Sequence, residues 1–235
     1  MGNKMPGLGK KSRRPNGMAF LYGLQTKLNI NIVMKKLLFS IFVVSACYTA
    51  QAQVHSIGPT LGFNYAWLSD VDNSSPRPSY NFGLTYNYSI LKSGGFGIEA
   101  RYSEEGVKQD VGGTTITSKI NYLRIPMKFQ YFFGELSESF RPKLFAGPSF
   151  AILMGGKTEV RNGSGTTEID SKDVYGGFDV GLQGGAGFNY RLAETTWLNF
   201  DVAYTHGLLD AAGDKGSSTA KNRLFNVNLG VAFGF

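Results

Sequence analysis

Six charged residues stand in runs whose alternate positions are apolar: Glu99 and Arg101, Arg124 and Lys128, Asp179, and Asp201. Successive side chains on a strand point to opposite faces, so each charge lies on the side away from the apolar residues, among Gly, Ser, Asn and Gln. Charges turned into a low-dielectric interior must be paired. Counted from the connection between their two runs, Glu99 and Lys128 fall at similar height on neighbouring strands. Two kinds of electrostatic chemistry are open to such a set. One is a salt-bridged plug that closes a lumen; the other is a narrow ion path whose selectivity the charges tune.

Covalent chemistry finds little to work with. A nucleophile needs a base, and a metal centre needs clustered ligands. The chain has two histidines, His55 and His206. Neither has a Ser, Asp or Glu at a spacing like that of membrane lipases, and Gly207-Leu208-Leu209-Asp210 follows His206. His206 has outward parity and reads as an interfacial polar residue. There is no zinc, calcium-loop or phosphate-loop motif, and the glycines from Gly181 to Gly187 lie inside a strand, not in a dinucleotide-binding turn. The sequence therefore predicts no enzyme, no metal and no cofactor.

Eight alternating runs position the charges. They cover about 56–68, 79–91, 95–104, 118–133, 142–154, 175–192, 196–207 and 222–235. In the second, Tyr80, Phe82, Leu84, Tyr86, Tyr88 and Ile90 oppose Asn81, Gly83, Thr85, Asn87 and Ser89. In the fourth, Phe132 breaks the polar inner face near its end. In the last, every odd position from Phe225 to Phe235 is apolar and every even one small or polar. A sheet with one aromatic face and one small polar face is satisfied when the aromatic face meets lipid. Trp67, Tyr80, Tyr102, Tyr131, Tyr190, Trp197 and Tyr204 lie near the ends of the apolar faces, where interfacial girdles belong. A soluble sandwich or lipocalin-like barrel also alternates, but it would need solvent or a packed core on these faces.

The connections 69–78, 92–94, 105–117, 134–141, 155–174, 193–195 and 208–221 alternate long and short. Outer-membrane barrels have short periplasmic turns and longer external loops, so both termini are expected on the periplasmic side. The longest connection, around Asn162-Gly163-Ser164-Gly165, is expected to be a mobile loop. Pro59, Pro126 and Pro148 fall inside strands and cannot donate to a ladder, so bulges are expected there. Phe235, with Phe233 on the same face, is where a barrel-insertion machinery is expected to read the chain.

The basic balance belongs to the front end. Of 24 Lys and Arg, eight precede residue 53, where no acid occurs; the remaining 16 face 17 acids, a net charge of −1. A nucleic-acid partner loses its support. Met34-Lys35-Lys36, the apolar run Leu37–Val44 and Ala50-Gln51-Ala52 form a signal peptide over 34–52, cleaved before Gln53. The apolar run is about half the roughly 20 residues a spanning helix needs. Residues 1–33 read as an upstream extension of a chain that starts at Met34, with an unusually long n-region as the alternative. Cys47, the only cysteine, sits in Val44-Ser45-Ala46-Cys47, which resembles a lipobox; lipidation there competes with removal of the cysteine in the signal peptide.

Tyr122-Leu123-Arg124-Ile125-Pro126-Met127-Lys128-Phe129 resembles the Tyr-Leu-x-Ile-Pro segment of small PorT-like outer-membrane β-barrel proteins. Phe145-Ala146-Gly147-Pro148-Ser149-Phe150, then Phe178 to Gly187, then Asn222-Arg223 and Phe233-Gly234-Phe235 resemble its later segments. The resemblance covers residues 53–235. It implies an all-β, eight-stranded antiparallel transmembrane barrel of OmpA/OmpX-like architecture in the outer membrane, and it transfers no catalytic residue. Some relatives assist protein secretion and surface motility. The implied roles are a structural, surface-interaction or secretion-accessory barrel, or a narrow pore. The expected partners are outer-membrane lipid, the barrel-assembly machinery, and secretion or surface partners met through loops 105–117, 155–174 and 208–221.

Overall fold

A computed structural model of the protein describes residues 55–69, 71, 74–135, 137–213 and 220–235. The expected upstream extension and signal peptide, with Cys47, lie outside the described residues. The chain forms β1 (His55–Leu68), β2 (Ser74–Ser89), β3 (Gly94–Val111), β4 (Thr114–Phe132), β5 (Phe140–Asn162), β6 (Gly165–Asp170), a short helix α1 (Ser171–Val174), β7 (Phe178–Ala193), β8 (Thr196–Asp210) and β9 (Lys221–Gly234).

Eight of the nine strands close into a ring. Each is antiparallel to its neighbours in the order β1-β2-β3-β4-β5-β7-β8-β9, and β9 returns to β1 from Ser56↔Gly234 to Leu68↔Asn222. The backbone of Phe235 donates to the carbonyl of His55 at 3.0 Å, one residue beyond the last strand. Closure leaves the ring without an edge, the condition for strands to span a membrane. The ninth strand, β6, stands outside the ring and pairs with β5 alone among the described strands.

The alternation sets the two faces. Leu61, Phe63, Phe82, Leu84, Phe129, Leu144, Leu182 and Leu229 are exposed on the outside, while Asn64, Asn81, Arg101, Arg124, Ser149 and Asn226 are buried inside. This inverts a soluble protein. Each outward Leu or Phe gains about 1.5–3 kcal/mol when taken from water into an apolar medium. Rings gather toward both ends of the wall. Trp67 and Tyr204 lie 6.1 Å apart at one end; Tyr131–Phe133 at 5.1 Å and Phe140–Phe188 at 5.1 Å mark the other.

Several connections expected to be loops are strand. Segment 105–117 is the upper part of β3 and β4, joined at Gly112 and Gly113, whose positive φ values of 55° and 84° suit a tight hairpin turn. Segment 155–174 holds the end of β5, all of β6 and α1, with the turn at Gly163 and Ser164, so the expected mobile loop is a paired hairpin. In 208–221, β8 runs on to Asp210 and β9 begins at Lys221, with 214–219 outside the described residues. Polar residues in these stretches signalled loops, but above a membrane the strands pair in water, where polar side chains on both faces are tolerated.

The prolines are accommodated without bulges. The β1–β9 ladder skips Pro59, and β3–β4 and β4–β5 skip Pro126 and Pro148, but the register is unchanged across each gap. A missing N–H removes a bond on one side only, and the other neighbour still holds the strand. Register shifts occur elsewhere, between Pro76 and Asn81, Asn121 and Tyr122, Arg191 and Ala193, and His206 and Asp210.

Candidate functional site

The lumen is filled in layers. At the end with tight turns, Phe132 is buried beneath Arg141, whose guanidinium carbon lies 4.5 Å from the ring centre. Arg141 also donates to the carbonyl of Lys92 at 2.7 Å, and Gln130 donates to Asn87 at 2.9 Å. Phe132, the break in the polar inner face, is thus a floor for a cation.

The next layer joins Lys128 to both Glu99 and Asp201, with 2.8 Å to the Asp201 Oδ2. Lys143 Nζ lies 2.8 Å from Asp201 Oδ1, and Arg101 Nε lies 3.2 Å from Glu99 Oε2. Lys128 Nζ also sits 4.7 Å from the centre of the Phe145 ring. Above it Arg124 donates through Nε to Glu105 Oε1 at 2.7 Å and through Nη2 to Glu105 Oε2 at 2.9 Å. Its Nη1 donates to Ser149 at 3.3 Å, and Nη2 approaches Asp179 at 3.4 Å, which also accepts from Asn222 at 3.1 Å. Ser103 donates to Glu105 and receives from Asn64, which accepts from Asn81.

Nearly all the buried charges are matched. The carboxylates Glu99, Glu105, Asp179 and Asp201 match the cations Arg101, Arg124, Lys128 and Lys143, and the fifth buried cation, Arg141, lies on the Phe132 ring. Between them, the space lined by Thr60, Thr85, Asn87, Glu99, Asn199 and Asn228 is about 10 Å³, room for about one water.

The hairpin end is capped by apolar packing. Ile120, Tyr122, Ala151, Leu153, Tyr175 and Ala211 form a buried cluster, with Leu68 and Val174 against it. The Tyr175 hydroxyl donates to Ser118 at 2.8 Å, Ser118 meets Thr158 at 3.1 Å, and burial pushes the Tyr175 hydroxyl pKa up. Asp170 caps α1 by accepting from the Lys172 amide at 2.8 Å, and Gly176 donates to the carbonyl of Ala211 at 2.9 Å. These bonds hold the segment after β6 across the mouth.

Beyond the mouth the sheet continues. Ser74–Pro76 of β2, the ends of β3, β4 and β5, and β6 form a projecting sheet. Its surface carries exposed or half-exposed ion pairs, Lys119–Glu159 at 3.3 Å and Lys157–Glu168 at 2.6 Å. The hydrogen bond between Lys157 and Glu168 holds the Glu168 carboxyl below its ordinary pKa and the Lys157 ammonium above it. A hollow of about 190 Å³ lies among Lys108, Thr115, Thr117, Glu159 and Arg161.

Glu105 and Lys143 belong to the lumen network although neither is among the six charges that the sequence pattern singles out. Glu105 keeps the inward parity of Glu99, Arg101 and Ser103, and ending the third run at residue 104 cuts it off. Lys143 has inward parity on its run; only the absence of a nearby acid in the sequence hides its role. The two histidines lie apart from this network. His55 stacks on Tyr88 at 4.8 Å and bonds Tyr86 at 2.7 Å, and His206 packs edge-on to Tyr204. Among the described residues no group of His, Cys, Asp and Glu could hold a metal ion.

The sequence pattern of the outer membrane protein beta-barrel domain matches residues 50–213. The chain belongs to the outer membrane protein beta-barrel domain family. It is similar to outer membrane protein W of Vibrio cholerae, 29% identical over 172 residues covering 73% of this chain and 67% of that protein. Among solved structures it is similar to OprG of Pseudomonas aeruginosa, at 14% identity, 77% of this chain, 95% of that one and a TM-score of 0.49. It is also similar to Neisserial surface protein A, at 14% identity, 76% and 97% coverage and a TM-score of 0.47. An outer-membrane barrel of this family accounts for the inverted faces: aliphatic and aromatic side chains toward lipid, ion pairs toward the axis.

Proposed function

We propose that this outer-membrane barrel is non-catalytic and acts through what its hairpin end presents at the cell surface, as a structural or surface-interaction protein or as an accessory of a secretion machine. One observation carries the reading: the lumen is filled by a network of paired buried charges beneath an apolar cap, whereas the sheet beyond the cap is exposed. In this reading the tight turns and both termini lie in the periplasm and the hairpins outside. Outer-membrane lipid and the barrel-assembly machinery are its partners, with Phe233 and Phe235 as the assembly signal. Tyr122–Phe129 supports kinship with the PorT-like barrels within the wider family.

Deletion of 158–172 should remove surface binding while the barrel still folds, as judged by its migration unheated and heated on a gel. Retained binding to cells or envelope fractions would sink the surface role.

The second reading is a narrow pore. It is favoured by Arg101 Nη1 and both polar side-chain atoms of Gln183, which are buried without a protein partner. Single-channel recording of the wild type, Glu99→Ala and Lys128→Ala separates the two. Silence in all three supports the closed barrel; openings whose ion selectivity differs between the wild type and these variants would establish the pore.

A further inference from the structure

We infer that the outer edge of β6, which no described strand pairs, is a docking site for an extended, basic segment of a partner protein, which adds to the projecting sheet as a further antiparallel strand. The inference rests on the surface-interaction reading and names the place and the kind of partner.

All six residues of β6, Gly165-Thr166-Thr167-Glu168-Ile169-Asp170, are exposed, and its register against β5 runs without a shift from Lys157↔Asp170 to Asn162↔Gly165. The turn has two residues, Gly163 and Ser164, so Asn162 and Gly165 form the bonded pair that closes it. Bonding alternates along an antiparallel ladder, so Thr167 and Ile169 also bond β5. Thr166, Glu168 and Asp170 then direct their N–H and C=O groups away from β5, along the open side. That is the row of unpaired groups an incoming strand uses.

The opposite edge of the same sheet is blunted. There β2 carries Pro76, and its pairing with β3 is interrupted between Pro76 and Asn81. Prolines, basic side chains and irregularities are the usual protections of an exposed edge. β6 has no proline, no lysine and no bulge, and three of its six residues are β-branched.

Charge and geometry select the occupant. Residues directly opposite on antiparallel strands share a face. Thr166, Glu168 and Asp170 share one. Glu168 Oε2 already accepts from Lys157 and Asp170 Oδ1 from the Lys172 amide, so an incoming lysine or arginine meets their second oxygens, Oε1 and Oδ2. A second copy does not fit. Copies in one membrane are related by an axis along its normal, so both β6 strands run from tip toward barrel and cannot lie antiparallel. Antiparallel pairing in register would also set Glu168 against Glu168.

The test uses the full chain in lipid nanodiscs and a six-residue peptide alternating lysine with valine. Hydrogen exchange at the amides of Thr166, Glu168 and Asp170 should slow at least tenfold with saturating peptide, and those of Thr167 and Ile169 should change little. The lysine amides face β6 in this arrangement. Peptide N-methylated at its lysines should therefore give no protection, and peptide N-methylated at its valines should still protect. Glu168→Pro, which removes an outward N–H and no bond to β5, should abolish the effect, and Glu168→Gln should weaken it several-fold. No protection at millimolar peptide, or equal loss with both methylated peptides, overturns the proposal. If deletion of 158–172 abolishes surface binding but Glu168→Pro leaves it whole, the edge is wrong and the surface role stands. If the peptide docks but the deletion changes no surface binding, the edge stands and the surface role falls.

Discussion

Arg124 and Glu105 meet fork to fork across neighbouring strands, with two bonds of 2.7 and 2.9 Å. Both are buried, Arg124 at 1% exposure, so neither charge has water to fall back on. Removing one partner of a buried pair leaves the other charge stranded, at a cost of about 3–5 kcal/mol. Arg124→Met strands both Glu105 and Asp179 and should lower stability by about that amount, read as the urea midpoint of unfolding in detergent. Combining it with Glu105→Gln should recover part of the loss. A double variant less stable than Arg124→Met alone would show that the charges are not the cause.

The cap can be tested through a proton. Burial raises the Tyr175 hydroxyl above the ordinary tyrosine pKa, so the folded barrel holds that proton more tightly than the unfolded chain. The resulting stability is whole below about pH 10, the unfolded value. It is lost as the pH rises from there through the folded value. Absorbance titrations of the wild type and Tyr175→Phe should therefore coincide through pH 10 and separate only above it. A phenolate difference already half developed at pH 10 would place Tyr175 in water. The substitution should also cost about 1 kcal/mol through the bond to Ser118.

Two glycines of the hairpin region should respond unequally to alanine. Gly156 has φ of +140°, and a Cβ there would strike the carbonyl of Lys119. Around Gly163 nothing lies within 4 Å of that position. Gly156→Ala should destabilise by about 1–3 kcal/mol, as overpacking does, while Gly163→Ala changes the urea midpoint little. Equal effects would mean that the backbone of β5 beside Lys119 is not rigid.

Phe235 stacks on His55 with ring centres 5.8 Å apart. Phe235→Ala keeps the backbone bond to His55 and loses only the ring, so the refolded barrel should lose about 1 kcal/mol or less. If the barrel-assembly machinery reads this ring, the yield in the outer membrane should drop several-fold. A normal yield would remove Phe235 from the assembly signal.

Alternation was enough to determine the eight strands of the wall, the sorting of Leu61 or Phe129 to lipid and Arg124 or Lys128 to the lumen, because a strand's period of two is local. Pairing was not local. Lys143 and Asp201 are 58 positions apart, and only closure of β5, β7 and β8 into one wall brings them together. The upper hairpins were hidden for a different reason: in water both faces of a strand can be polar, so Thr114–Thr117 and Lys157–Asp170 carry no amphipathic signal. Parity itself fails at Met154. The register shift opposite Asn121 and Tyr122 admits one extra residue into β5, so Leu153 and Thr158 both face inward although their numbers differ in parity. The sequence by itself determined which residues face lipid; only the tertiary structure decided which charges meet, where the mouth is sealed, and that no described strand pairs the outer edge of β6, because each depends on strands that are distant in the chain.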